Sequence, residues 1–219
     1  MSNLMKPLGT LLARLARNKS GVAMIEFAYS APVLALLLIG GVELSNFAIT
    51  HMRVSQVAVS LADNASRAKQ SVVSGVPRIR EADVNEVFSA AQLQGGTLDF
   101  QAHGRLILSS LETNASGGQW IHWQRCFGDG DYDSSYGVQG DGATGTSLTG
   151  IGPTNRRVSA ESGTAIMFVE VVYDYQPLLF SDFMQSAQIR KTAAMYVRDN
   201  RDLSGIYNPS PSVTANVCT

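Results

Sequence analysis

Between Phe27 and Val42 the chain carries no charged residue, and from Ala31 to Val42 it reads APVLALLLIGGV. A helix crossing a membrane core needs ~20 apolar residues, so the run is long enough once Val22 to Ile25 are counted with it. Residues 1–21 contain Lys6, Arg14, Arg17 and Lys19 and no acid. Positive charge flanking an apolar segment stays on the cytoplasmic side. The expected organisation is therefore a basic cytoplasmic leader over 1–21, a transmembrane helix over 22–50 and an exported domain over 51–219, in a single-pass membrane protein. Two other readings fit less well. A cleaved secretory signal would end at a small-residue site, whereas the sequence from Val42 to Ala68 continues in an unbroken helical pattern. A buried core helix agrees with a mean hydropathy of only +0.03, but not with the basic flank and the uncharged run.

After Glu43 the pattern becomes amphipathic. Val54, Val57, Leu61, Ala65, Ala68 and Val72 recur at steps of three and four, with Gln56, Ser60, Asp63, Arg67 and Gln70 on other faces. This spacing predicts one helix from about 22 to 73, ended by Gly75 and Pro77. A second helix is expected over 83–93, where Asp83 and Glu86 have capping-box spacing and Val84, Val87, Phe88 and Ala91 share a face. Strands are expected over 97–103, 105–111, 119–127, 164–174 and 187–198. With 45% apolar and 16% charged residues the chain has the composition of a folded protein. The fold class is α+β: a long N-terminal transmembrane and amphipathic helix whose stripe covers one face of an antiparallel sheet with half-buried strands. The segment 128–162, rich in Gly, Ser, Thr and Asp, reads as a long surface loop, functional or disordered. The tail from Asn200 to Thr219 has little regular pattern.

The stretch from Gly21 to Phe27, GVAMIEF, places a glycine after the basic leader and an acid inside the apolar run. A carboxylate within a membrane helix costs on the order of 2.5–3.5 kcal/mol on insertion scales, so Glu26 needs a reason. One is that it lies near enough to the cytoplasmic face to reach headgroups. Another follows from its neighbours. A basic segment, a G-x-x-x-x-E-F motif, an apolar run containing proline and a further acid occur here in register as Gly21, Glu26, Phe27, Pro32 and Glu43. This combination resembles the processing site of type IV prepilins and, more closely, the TadE-like family, over about residues 18–60. The resemblance implies a pilin-like fold, cleavage by a prepilin peptidase between Gly21 and Val22, and a minor pilin or pseudopilin of the Tad (Flp) pilus. Its implied partners are that peptidase, other minor pilins, the Tad assembly platform proteins and the membrane. Flp major pilins have tyrosine after the glutamate, and Phe27 departs from them, as does the large exported domain. An uncleaved single-pass assembly factor or adhesin is the alternative role. Pro32, with Gly40 and Gly41, suits either a bend in the helix or the ordinary composition of membrane helices.

Cys126 and Cys218 are the only cysteines. In an oxidising compartment they are expected to form a disulfide; free thiols, or a metal site including His122, are the rival readings. Asp129, Asp131 and Asp133 alternate as calcium ligands do, but the EF-hand pattern fails at Ser134, and a solvated acidic loop is the competing reading. With three histidines and no nucleophile elbow, P-loop or paired zinc motif, no enzymatic activity and no cofactor are expected. A net charge of -1 gives no reason to expect nucleic acid.

Overall fold

The computed structural model describes residues 13–14, 16–17, 20–69, 75–179 and 187–218. Helix α1, Ser20–Arg67, is one α-helix of 48 residues with Pro32 inside it. The chain divides into two compact units, Met1–Asn46 and Phe47–Thr219. In the first, the residues from Gly21 to Ser30 and from Pro32 to Val42 are all exposed. The apolar side chains therefore point in every direction, as those of a lipid-solvated helix do. The segment is long and apolar enough to cross a membrane. Glu43, by contrast, is buried at 4% exposure.

The second unit begins at Phe47, whose ring lies edge-on to His51 at 4.5 Å and to Tyr175 at 5.0 Å. From there α1 is amphipathic as expected, with Val54, Val57, Ala58, Leu61, Ala62 and Ala65 buried. The helix stops at Arg67, short of the expected 73; residues 70–74 are outside the described set. The last carbonyls of a helix have no partner within it. Here the buried Arg201 supplies one, its guanidinium donating to Ser66 O at 2.6 Å and, more weakly, to Ala65 O at 3.5 Å. Arg201 also pairs with Asp199, which Lys69 reaches at 2.8 Å. Burial works against the Asp199 carboxylate, but the bonds from Arg201 and Lys69 outweigh it and hold its pKa below the ordinary value.

Helix α2 spans Glu81–Gly95, longer than the expected 83–93. Asp83 is not the cap but the residue that reaches back to it, accepting from Arg80 N at 2.9 Å. Its apolar face is the expected one, Val84, Val87, Phe88 and Ala91. The strand expected over 97–103 does not form. Instead Gly96–Leu98 is a 3-10 turn and Phe100–His103 a single helical turn, α3. Asp99 sits at φ 46° and its side chain accepts from Ala102 N, a local bond that competes with any strand ladder. The Phe100 ring is pressed so closely against Gly95 that a Cβ there would meet it at 2.6 Å.

Four antiparallel strands follow: β1 Gly104–Thr113, β2 Gln119–Phe127, β3 Ile166–Asp174 and β4 Gln188–Tyr196. Their order is β2-β1-β3-β4. One face, with Leu106, Leu108, Trp123, Met167, Val169 and Val171, packs against α1 and α2. The other face is not half-exposed, as the sequence suggested. Leu111, Ile121, Ile166 and Phe168 form a second core with Ile151 and Ala160, flanked by Tyr136, Leu148 and Val158. The 128–162 segment is thus a third layer of the domain, irregular in backbone but packed on the sheet.

Polar groups fasten that layer. Buried Glu170 accepts from Ser135 N at 3.0 Å, Ser135 Oγ at 2.9 Å and Arg190 Nη1 at 2.7 Å. Gln119 exchanges two bonds with the Ala160 backbone, at 2.6 and 3.0 Å. The same segment closes the outer edge of β2, where Gln119 N donates to Leu148 O and Ile121 N to Asp141 O. Unpaired strand edges invite association with other chains, and this one is covered.

Candidate functional site

The expected processing motif lies on α1. Gly21, Val22, Glu26 and Phe27 are all helical and exposed. Val22 and Glu26 are four residues apart, about 6 Å along the axis and on one face. Side chains on a helix lean toward its N-terminus, so the Glu26 carboxylate leans toward the Gly21–Val22 bond. The surroundings of Gly21 are informative: a Cβ added there meets nothing within 4 Å. Glycine in a helix costs ~1 kcal/mol relative to alanine, and no packing in the described residues requires it. Pro32 is accommodated within the continuous helix, and Glu43 is buried further along it.

Cys126 and Cys218 are joined in a disulfide. This excludes the free-thiol and metal readings, and His122 is engaged elsewhere. Its Nδ1 lies 2.9 Å from Glu112 Oε2, and its ring stacks on Trp120 with centroids 3.9 Å apart. His122 is the extra residue of a β-bulge, since Ser110 pairs with Trp123 and Leu111 with Ile121. Burial raises the Glu112 carboxyl above its ordinary pKa, opposed by the Ser110 hydroxyl and His122. Nothing local in the sequence marks this cluster, because its members come from two strands brought into register only by the hairpin.

The disulfide holds down the C-terminal tail. Cys126 N donates to Asn216 O at 2.8 Å, Asn85 Nδ2 to Thr214 O at 2.9 Å and Asn216 Nδ2 to Asn85 Oδ1 at 2.9 Å. No residue from Asn208 to Cys218 is buried. Net hydrogen bonds contribute ~0.5–1.5 kcal/mol each, while ordering a backbone costs ~1–2 kcal/mol per residue. These bonds, with the antiparallel bridge between Val217 and Arg125, contribute less than ordering a segment of this length costs, so the covalent bond is the main restraint that keeps it docked.

Asp129, Asp131 and Asp133 do not converge as calcium ligands. Asp129 accepts from Gln101 Nε2 at 2.6 Å, and among the described residues no three His, Cys, Asp or Glu side chains come together in a metal-holding group. Alternation along an irregular segment does not by itself turn carboxylates inward.

Residues 21–63 match the family model described as TadE-like protein, the family that the leader and helix motif resembled. That family implies a protein associated with the Tad pilus. The match lies wholly within α1 and includes every residue of the processing motif. No curated protein and no solved structure matches the chain.

Proposed function

We propose that this protein is a minor pilin or pseudopilin that takes part in Tad (Flp) pilus assembly at the inner membrane, with a structural and not an enzymatic role. The observation that carries the reading is the coincidence of the family match with Gly21 and Glu26 on a helix whose apolar side chains are exposed all round. The basic leader supports a cytoplasmic N-terminus and a periplasmic domain. In this reading a prepilin peptidase cleaves between Gly21 and Val22, leaving an α-ammonium one helical turn from Glu26. Other minor pilins and the Tad assembly platform receive the exposed helix. Within a dry bundle the ammonium of one subunit and the Glu26 carboxylate of the next offset each other's desolvation, which neither achieves alone.

The test is the mass of the mature N-terminus together with pilus assembly. Cleaved wild-type protein begins at Val22, and Gly21→Leu keeps the leader and migrates at higher apparent mass. Glu26→Ala inserts into the membrane but does not enter the filament. An intact N-terminus on wild-type protein in pilus-producing cells would instead favour an uncleaved assembly factor or adhesin, and normal assembly by Glu26→Ala would remove the charge-pairing role.

A further inference from the structure

The two cysteines of the disulfide differ in exposure. Cys126 belongs to β2 and is 6% exposed, whereas Cys218 is exposed. Beside the bond is a cleft of about 350 Å³, lined in part by Tyr132, Ser134, Gln139, Val217 and both cysteines, so it is the difference in exposure, and not the cleft, that separates Cys218 from Cys126. Exchange of a disulfide requires a thiolate to reach one particular sulfur, and access decides which. Once the bond is open, nothing buried retains the tail, which is fastened by the few hydrogen bonds described above. Its attachment to the body at the other end is firm: Tyr207 N donates to Ile79 O and Tyr207 O accepts from Glu81 N.

We propose that Cys218 Sγ is the entry point for thiol–disulfide exchange with a protein dithiol, and that exchange there releases residues 208–218 from the edge of β2. One thiolate of the dithiol attacks Cys218 Sγ, forming a mixed disulfide. The Cys126–Cys218 bond breaks, and its electron pair leaves on Cys126 Sγ, which takes a proton. The second thiolate of the dithiol then attacks its own partner sulfur in the mixed bond, closes the dithiol's disulfide and releases Cys218, which is protonated in turn. Two electrons and two protons pass to the chain. The same steps in reverse, with the partner in its disulfide form, install the latch. Release frees Cys126 N–H and removes Val217 and Cys218 from the wall of the cleft, while the sheet and its two covering layers keep their contacts.

The probe is reduced glutathione, a monothiol that stops at the mixed disulfide, added to oxidised full-length protein in detergent micelles and quenched with N-ethylmaleimide. Peptide mass mapping is expected to find glutathione on Cys218 in excess over Cys126 by about tenfold or more. Amide exchange at Cys126 and over 208–218 should accelerate by about a hundredfold, with Leu106–Ser110 of β1 unchanged. Adducts on Cys126, reaction only after denaturant, or loss of protection throughout β1 and β3 would overturn the proposal. The Cys126→Ser, Cys218→Ser double variant gives a second reading without any thiol chemistry. Its tail should exchange freely over an intact sheet, and a tail still protected in that variant would equally overturn it.

Discussion

Replacing Ile151 with alanine tests whether the 128–162 segment is a layer of the fold or a surface loop. Ile151 is 3% exposed, packs with Leu111, Ile121, Ile166 and Phe168, and is held in place by reciprocal backbone bonds with Val158 at 2.9 and 3.1 Å. The substitution removes three buried carbons, about 2.4 kcal/mol at ~0.8 kcal/mol each. The unfilled space adds to this, for a total of about 3 kcal/mol, within the ~2–5 kcal/mol seen for such truncations. For a domain of this size that is a fall in Tm of about 6–12 °C. Trp120 and Trp123, both on β2, report unfolding by fluorescence in a urea or thermal series on the detergent-solubilised chain. Val138→Ala in the same segment is the control, because Val138 is 51% exposed and its loss should fall within about 0.5 kcal/mol of zero. If Ile151→Ala behaves like Val138→Ala, the second core does not stabilise the domain and the layered description is wrong.

Four further outcomes follow from the same geometry. Gln119→Ala leaves the Ala160 N–H and carbonyl without their partner in a buried site, and should cost about 1–3 kcal/mol by urea denaturation. Arg201→Ala strips the end of α1 of its cap and leaves Asp199 with Lys69 alone, so stability should fall by about 3 kcal/mol, with faster amide exchange confined to the last turn of the helix. Tyr173 is pushed up to about 12, chiefly by burial and then by Asp99, Asp174 and Tyr175. Its contribution is whole below the unfolded tyrosine value near 10 and is lost as pH rises toward 12, on the order of 2 kcal/mol, and Tyr173→Phe should flatten that limb of a stability–pH curve. Asp202 is lowered to about 2, first by the Tyr207 hydroxyl and then by Ser204. Its contribution is present above the ordinary carboxylate value and is lost as pH falls through about 2, so Asp202→Asn should lessen the acid dependence in that window.

What the sequence revealed, and what it hid, follows the range of the forces involved. The buried positions of α1 and α2 were legible because a helix repeats its contacts every three or four residues, and β2, which alternates in burial, was placed to the residue. The 97–103 segment was misread because Asp99 decides it through one side-chain bond and a positive φ, neither of which leaves a periodic trace. The end of α1 was misplaced because its cap, Arg201, is distant in sequence, and the third layer was invisible because its anchors lie outside it, Glu170 and Gln119 on strands and Asn114 in the connection between β1 and β2. Asn114 is typical: its amide donates to Gly142 O and Gly145 O, both at 2.7 Å. Local pattern cannot report a bond whose partner is set by topology.

The junction at Gly21 differs from all of these, and the difference can be measured. In the Phe47–Thr219 unit most polar groups that look unusual in the sequence find a partner inside the fold, as Glu170, Glu81 and Arg201 do. Gly21 and Glu26 do not follow that rule, since the glycine has open space around its Cα and the glutamate is exposed on an apolar helix. Gly21→Ala should therefore raise helix stability by up to ~1 kcal/mol, and Glu26→Ala should ease membrane insertion by on the order of 2.5–3.5 kcal/mol. Both changes are favourable or neutral for the isolated chain, and membrane extraction with circular dichroism checks this. A loss of assembly in Glu26→Ala protein that inserts normally then reports on a second molecule and not on folding. If that variant instead inserts poorly, the carboxylate serves the chain's own insertion, and the case for an answering group on another subunit fails.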